Sequence, residues 1–233
     1  MVRIEDADDV RVVTLDRPER RNALTPAALD DLEAAVVDCT APVVYLRGAG
    51  EAFCAGADLS VVADVADSGE VEPFVRRGQR VADAIESASA VVVAGVDGAA
   101  RGGGVELALA CDLRLATPDA TFGEPGVTFG LFGAWGGTVR LPEVVGLGDA
   151  LDFSLSGRVV DAEEALRMGL VSRVVDDPRA VAESLAENDH MAMGLLKERV
   201  RDRGSKADQE DAEVAAFEAL VEAHADDLTE LGE

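Results

Sequence analysis

The amino-acid sequence predicts an α/β fold in which strands and helices alternate along the chain. Short runs rich in β-branched residues, such as Val10–Leu15 and Val91–Val96, are typical of buried strands. Apolar residues recur at helical spacing between such runs, and from Met191 onward the pattern is helical throughout. These observations predict an α/β core over residues 1–187 and a helical C-terminal region over residues 188–233.

Capping and breaking signals set the boundaries of the predicted helices. Thr25 followed by Pro26 is typical of an N-cap with proline at the first helical position, and it predicts a helix that ends near Asp38. Gly69 marks a break before a predicted helix over Glu72–Ser87. Further predicted elements are the strands Pro42–Arg47, Leu113–Ala116 and Ser172–Val175, the helices Val105–Ala110, Leu147–Leu155, Asp161–Met168 and Pro178–Glu187, and a break of the C-terminal helical pattern at Gly204 and Ser205.

The charge balance is strongly acidic. The chain has 46 acidic against 21 basic residues, a formal net charge of −25, and its only lysines are Lys197 and Lys206. Such a surface repels itself unless salt screens it, so the composition predicts a protein adapted to the very salty cytoplasm of a halophile. The absence of a basic stripe argues against nucleic acid as a partner.

Several other classes of protein and site are excluded by missing patterns. Cys39, Cys54 and Cys111 lack CxxC spacing and are predicted to be buried free thiols in a reducing compartment. With no signal-peptide pattern and no apolar run of about 18 residues, we expect a soluble cytoplasmic protein without a membrane span. We find no P-loop, dinucleotide fingerprint, serine-hydrolase elbow or metal-ligand spacing. His190 and His224 are predicted to be surface residues of the C-terminal region.

The segment Gly102–Gly104 is the first candidate functional feature. It follows the predicted strand Val91–Val96 and precedes a short apolar helix whose first turn carries Glu106. Glycine leaves the main chain open to a ligand, and the first turn of a helix has amides without an internal partner. This pattern favours an anion or a developing oxyanion beside a carboxylate. The alternative is that the glycines only allow close packing of the helix on the sheet.

Two further glycine-bearing segments point to the same kind of site. Gly48–Leu59 also follows a predicted strand, so each of two loops can present an amide to one point, as in an oxyanion hole. The segment Thr121–Gly137 is rich in glycine and aromatic residues, including Phe132 and Trp135. That composition is typical either of a ligand-lining loop or of a loop packed on the core.

From about residue 10 to residue 175, the chain resembles the crotonase, or enoyl-CoA hydratase/isomerase, superfamily. Four blocks carry the resemblance, in the order and spacing of the family. They are Val13-Thr14-Leu15-Asp16-Arg17-Pro18 with Asn22-Ala23-Leu24; Ala52-Phe53-Cys54-Ala55-Gly56-Ala57-Asp58-Leu59; Gly98 with Gly102-Gly103-Gly104-Val105-Glu106-Leu107-Ala108 and Cys111-Asp112; and Phe122-Gly123-Glu124-Pro125 with 133–141.

The resemblance implies a spiral of ββα units with C-terminal helices that build a trimer or a dimer of trimers. It also implies an acyl-CoA thioester as substrate, with no cofactor beyond the coenzyme A that the substrate carries. The amides of Ala57 and Gly103 match the family's oxyanion hole. The resemblance predicts CoA contacts from Arg20 and Arg21, and from the loop residues Ala55, Ala57, Asp58 and Leu59. We also interpret the carboxylates of Asp58 and Asp112 as structural.

The acid/base residues match the family only in part. Family hydratases use two glutamates, and the first matches Glu106. The second belongs to a Phe-Gly-Xaa-Pro-Glu pattern, where this chain has Gly126. Glu124 is a possible substitute, because alternate residues of an extended segment share a face. We expect hydration of a 2-enoyl-CoA; isomerase, decarboxylase or thioester-hydrolase chemistry and a non-catalytic acyl-CoA-binding subunit remain alternatives.

Overall fold

The computed structural model describes residues 1–226 and residue 229. In chain order its elements are β1 (Val2–Ala7), β2 (Val10–Leu15), α1 (Pro26–Val37), β3 (Val43–Gly48), β4 (Ala52–Cys54), α2 (Leu59–Ser68), α3 (Val71–Ser87), β5 (Val91–Val96), β6 (Ala99–Arg101), α4 (Gly103–Ala110), β7 (Leu113–Ala116), β8 (Thr121–Gly123), α5 (Gly137–Ser156), β9 (Val159–Asp161), α6 (Ala162–Arg167), β10 (Arg173–Val174), α7 (Pro178–Ala186), α8 (His190–Arg201) and α9 (Lys206–Ala223). Short 3₁₀ turns lie at Pro18–Arg20 and Pro125–Phe129.

Two sheets organise the N-terminal part of the chain. The larger has the order β1-β2-β3-β5-β7-β10, and the smaller has the order β4-β6-β8-β9. The pairs β3/β4, β5/β6 and β7/β8 each place their first strand in the larger sheet and their second in the smaller one. Helices follow each pair, so three ββα units stack along the chain. This confirms the predicted α/β spiral of ββα units.

The core lies around the larger sheet. All six residues of β5 are buried, and the register places Leu46 of β3 between Val13 of β2 and Ala94 of β5. Every residue of α4 is buried as well, which explains its Ala/Leu composition. At α1, the Thr25 hydroxyl accepts a hydrogen bond from the Ala28 amide at 3.3 Å, as the predicted cap requires.

Some elements differ from the sequence prediction. β1 was not predicted because its sequence, VRIEDA, is polar and mostly exposed; it pairs antiparallel with β2 at the edge of the sheet. The predicted helix Leu147–Leu155 forms only the second part of α5, which begins at Gly137 and bends at Gly146, where φ is +78°. The glycine-bearing loops also contain the three-residue strands β4 and β8.

The chain forms two compact units, Met1–Leu185 and Ala186–Glu233. In the second unit, His190 is exposed, whereas His224 is partly buried and its Nε2 lies 3.3 Å from the Asp189 carboxylate. His224 is therefore less exposed than predicted, and the sequence prediction did not include its acidic neighbour. Asp189 caps α8, and the fold of this unit brings the distant histidine back to that cap.

All three cysteines are free thiols, as predicted, and Cys54 and Cys111 are buried, whereas Cys39 is only partly buried. Among the residues that the structure describes, no helix combines the length and apolar character needed to cross a membrane.

Candidate active site

Two loops meet at the start of α4, and glycine makes their contact possible. A Cβ atom added to Gly56 would lie 2.9 Å from the Gly103 amide nitrogen, and one added to Gly104 would lie 2.3 Å from the carbonyl oxygen of Cys54. Gly56 also has a φ of +84°, a conformation that disfavours other residues. The loop carrying Ala57 is therefore packed directly against the N-terminus of α4.

The amides of Ala57 and Gly103 belong to these two loops. Gly103 is the first residue of α4, so its amide has no acceptor within the helix. The amides on either side of Ala57 have acceptors within the protein. The Asp58 amide donates to the Leu24 carbonyl, and the Gly56 amide donates to the Cys54 sulfur at 3.4 Å. In the described part of the chain, no hydrogen bond involves the Ala57 amide. Two such amides can stabilise an oxyanion that forms between them.

Glu106 lies in the first turn of α4 and is 2% exposed. Its Oε1 accepts hydrogen bonds from the amides of Trp135 at 2.7 Å and Gly137 at 2.8 Å. Burial raises the pKa of Glu106, and these two amides and the charge of Arg140 act in the opposite direction. Within the described residues Oε2 has no hydrogen-bond partner, so one oxygen fixes the side chain and the other is available for proton transfer.

Glu124 follows β8 and is also buried, with 9% of its surface exposed. It lines a cavity of about 50 Å³ together with Phe132, Gly133 and Gly137, among others. Both of these glycines also contact Glu106, because an added Cβ would lie 2.7 Å from its Cδ at Gly133 and 2.8 Å from its Oε1 at Gly137. The two carboxyl groups thus flank the same pair of glycines.

Comparisons with known proteins show which family the chain belongs to. The family model described as enoyl-CoA hydratase/isomerase matches residues 5–227. The chain belongs to this family. It is 35% identical to the short-chain-enoyl-CoA hydratase of Clostridium acetobutylicum over 230 residues, which cover 94% of this chain and 87% of that protein.

Solved structures of family members share the fold. The crystal structure of an enoyl-CoA hydratase from Bacillus anthracis superposes with a TM-score of 0.88 at 32% identity, covering 95% of this chain and 91% of that one. A putative enoyl-CoA hydratase from Thermobifida fusca, solved in complex with acetoacetyl-CoA, gives a TM-score of 0.87 at 27% identity, with 95% of each chain covered.

Gly126 stands where the resemblance predicts a second glutamate, and it lies in the 3₁₀ turn Pro125–Phe129. The sequence prediction that Glu124 and Gly126 share a face of an extended segment is therefore wrong. A Cβ atom added to Gly126 would lie 3.0 Å from the carbonyl oxygen of Leu131 and 3.0 Å from the Cα of Phe132. The Leu131 amide also donates to the Gly126 carbonyl at 2.9 Å. The main chain at 131–132 therefore packs closely on Gly126, and a side chain there would require this segment to shift by a few tenths of an ångström.

The predicted coenzyme A residues lie on the turn and loop beside the Ala57 amide. The Arg21 carbonyl accepts a hydrogen bond from the Ala55 amide at 2.9 Å, which joins the arginine turn to that loop. The side chains of Arg20 and Arg21 are exposed, and neither forms an ion pair within the described residues. Leu59, at the start of α2, is 66% exposed.

Asp58 is 6% exposed and is engaged by the protein itself. It caps α2 through the amide and hydroxyl of Ser60, at 3.0 and 2.7 Å, and it pairs with Arg17 at 2.6 Å. The hydrogen bond from the Ser60 hydroxyl, followed by that from Arg17, lowers the pKa of Asp58 to about 2. Asp112 accepts a hydrogen bond from the Val92 amide at 2.7 Å and so ties the end of α4 to β5.

Sequence reasoning missed the residues that hold Glu106 in place. Besides donating its amide, Trp135 places its ring where a Cβ on Gly78 or on Gly103 would lie, 2.2 and 2.3 Å from ring carbons. Arg140 pairs with Glu86 at 2.5 Å and with Asp83 at 2.9 Å. The 121–137 segment combines core packing with exposure: Trp135 is buried, whereas Phe132 is 73% exposed. The glycines of this segment indicated that another group lies close to its main chain, but the sequence did not show that this group is the Glu106 side chain.

Proposed function

We propose that this protein adds water across the double bond of a 2-enoyl-CoA thioester. The observation that carries the proposal is the fixed carboxylate of Glu106, one turn after the Gly103 amide and beside the loop that carries the Ala57 amide. Similar proteins are named as enoyl-CoA hydratases, which supports the same reaction.

The proposed chemistry follows from these groups. The thioester oxygen accepts hydrogen bonds from the Ala57 and Gly103 amides, so it can carry the negative charge of an enolate. Loss of one such donor typically costs about 2.7–4 kcal/mol of transition-state stabilisation, which makes the oxyanion hole the dominant contribution. Oε2 of Glu106 removes a proton from the water that attacks the β-carbon. A second group must then protonate the α-carbon.

Coenzyme A is the proposed polyanionic part of the substrate, and the proposal requires no separate cofactor. Arg20 and Arg21 are exposed and unpaired within the described residues, so their guanidinium groups are available to phosphate. We propose that the adjoining loop and the start of α2 contact the coenzyme A part of the substrate through Ala55, Ala57 and Leu59. The Asp58 carboxylate is occupied by Arg17 and Ser60, so we assign it the positioning of this loop.

A second candidate function is an acyl-CoA-binding subunit without activity, which the glycine at 126 favours.

Purified protein should remove the conjugated enoyl absorbance of crotonyl-CoA in concentrated KCl if the hydratase proposal holds. Tight binding of crotonyl-CoA without any loss of that absorbance, and without turnover of other enoyl chain lengths, would contradict it and favour the binding subunit.

We propose that the protein assembles as a trimer or a dimer of trimers. Supporting this, α5 exposes Leu147, Leu151 and Leu155 at 67%, 49% and 70%, one turn apart on one face of the helix. Light scattering in concentrated KCl should give a mass of three or six chains, and a monomer would contradict the proposal.

We further propose that the protein is adapted to high salt, as its net charge of −25 suggests. Raising KCl from about 0.1 to about 1 M shortens the Debye length from about 10 to about 3 Å and weakens repulsion among the carboxylates. The thermal unfolding midpoint, followed by circular dichroism, should therefore rise over this range. A midpoint that stays constant or falls would refute the adaptation.

A further inference from the structure

Glu124 is a buried carboxyl group that the structure leaves without a partner. It is 9% exposed, yet no hydrogen bond or ion pair to its side chain occurs among the described residues. Its carboxyl oxygens are not among the fully enclosed side-chain atoms of the described residues, so they stay accessible to the space beside them. The side chain borders a cavity of about 50 Å³, large enough for a water molecule or a small reacting group.

The surroundings of Glu124 keep its proton bound. Phe132, Leu141 and Val127 contribute apolar surface to the cavity. Among the described residues, the charge that acts on Glu124 is that of Glu106. Burial and this neighbouring negative charge raise the pKa of Glu124 to about 8, so at neutral pH the group is a protonated acid.

The environment of Glu106 is different. Burial raises the pKa of Glu106 too, but two amides donate to its Oε1 and the Arg140 guanidinium adds a positive charge nearby, and these three groups favour the ionised form. The two carboxyl groups flank the same glycines, Gly133 and Gly137, and they differ because groups that favour the ionised form act on Glu106 and not on Glu124. Such a divergence is the usual way for one site to provide an acid and a base at the same pH.

We propose that Glu124 is the general acid of this site and supplies the proton that the α-carbon of the substrate receives. The inference rests on the hydration proposed above and deepens it. It also fits the glycine at 126: the main chain at 131–132 packs closely on that position, and the site has a second carboxyl group, that of Glu124, two residues earlier.

The proposed step balances. The water oxygen forms a bond to the β-carbon while one water proton passes to Glu106, and the π electrons move into the enolate held by the Ala57 and Gly103 amides. The enolate collapses as its α-carbon takes the proton of Glu124. Glu106 is then protonated and Glu124 ionised. Transfer of one proton from Glu106 to Glu124, through water, restores both groups, and the net reaction is the addition of one water.

The test is the pH dependence of kcat/KM for crotonyl-CoA hydration, which reports the groups of the free enzyme, in the wild type and in Glu124→Gln. In the wild type, kcat/KM should fall as the pH rises through about 8, because Glu124 loses the proton that it must donate. Glu124→Gln preserves size but cannot donate a proton to carbon. It should lower kcat about 10²-fold or more, change KM little and remove the decline near pH 8.

Glu163→Gln, a carboxyl-to-amide change at an exposed residue, is the matched control and should keep wild-type values. A Glu124→Gln protein that retains both kcat and the decline near pH 8 would overturn the inference while leaving the hydratase proposal intact. An inactive wild type would overturn the proposed function itself, and this inference with it. Because the wild-type profile needs no variant, a kcat/KM that stays constant from pH 7 to about 9 would overturn the inference even if Glu124→Gln failed to fold.

Discussion

Replacing Glu106 with glutamine is expected to lower kcat for crotonyl-CoA hydration by about 10²–10⁴-fold. The amide oxygen of glutamine can still accept the hydrogen bonds that the Trp135 and Gly137 amides donate to Oε1. The nitrogen that replaces Oε2 cannot take a proton from water. The variant should therefore keep its structure and lose its chemistry, which steady-state rates measure directly.

The control for this loss is substrate binding. Because the predicted coenzyme A contacts lie on the 20–21 turn and the 55–59 segment, the affinity of Glu106→Gln for a saturated acyl-CoA should equal that of the wild type. Isothermal titration provides the comparison. A Glu106→Gln protein with wild-type kcat would remove Glu106 from the mechanism, and a parallel loss of binding would show that the substitution disturbs more than proton transfer.

Replacing Gly104 with alanine is expected to lower the free energy of unfolding by about 3 kcal/mol or more. The new Cβ would lie 2.3 Å from the Cys54 carbonyl oxygen and 2.8 Å from the Cys54 Cβ, and both belong to the buried strand β4. Neither neighbour is the mobile end of a long side chain, so α4 and the loop must separate. Denaturant titration followed by circular dichroism measures the change.

Gly148→Ala is the matched control for this prediction. Gly148 lies in α5 and has nothing within 4 Å of an added Cβ. Alanine is favoured over glycine in a helix, so this variant should be as stable as the wild type or more stable by up to about 1 kcal/mol. Equal stability of Gly104→Ala and Gly148→Ala would mean that the two loops are not in the close contact described.

The alternation of strands and helices was predictable because the buried strands carry dense β-branched runs, as in Val91–Val96. Elements with weaker local signals were not. β1 is polar because it lies at the sheet edge, and α5 contains Pro142 and Gly146, which read locally as helix breakers. Tertiary packing determines both elements, and this packing cannot be read from a single sequence.

The candidate site divides in the same way. Ala57, Gly103 and Glu106 could be singled out because each lies in a motif of adjacent residues. The amide of Trp135 on Glu106 and the close packing of 131–132 on Gly126 join segments that are separated along the chain or folded back on themselves. The burial of Glu124 likewise depends on the three-dimensional fold, so its raised pKa could not be anticipated from the pattern Phe122-Gly123-Glu124-Pro125.

The central claim is that water adds to the β-carbon of an enoyl thioester. The most direct measurement is mass spectrometry of the product formed from crotonyl-CoA in ¹⁸O-labelled water. We predict an intact CoA thioester that has gained one water, with the label on the new hydroxyl group. Free coenzyme A with labelled carboxylic acid, or unchanged crotonyl-CoA, would contradict the account.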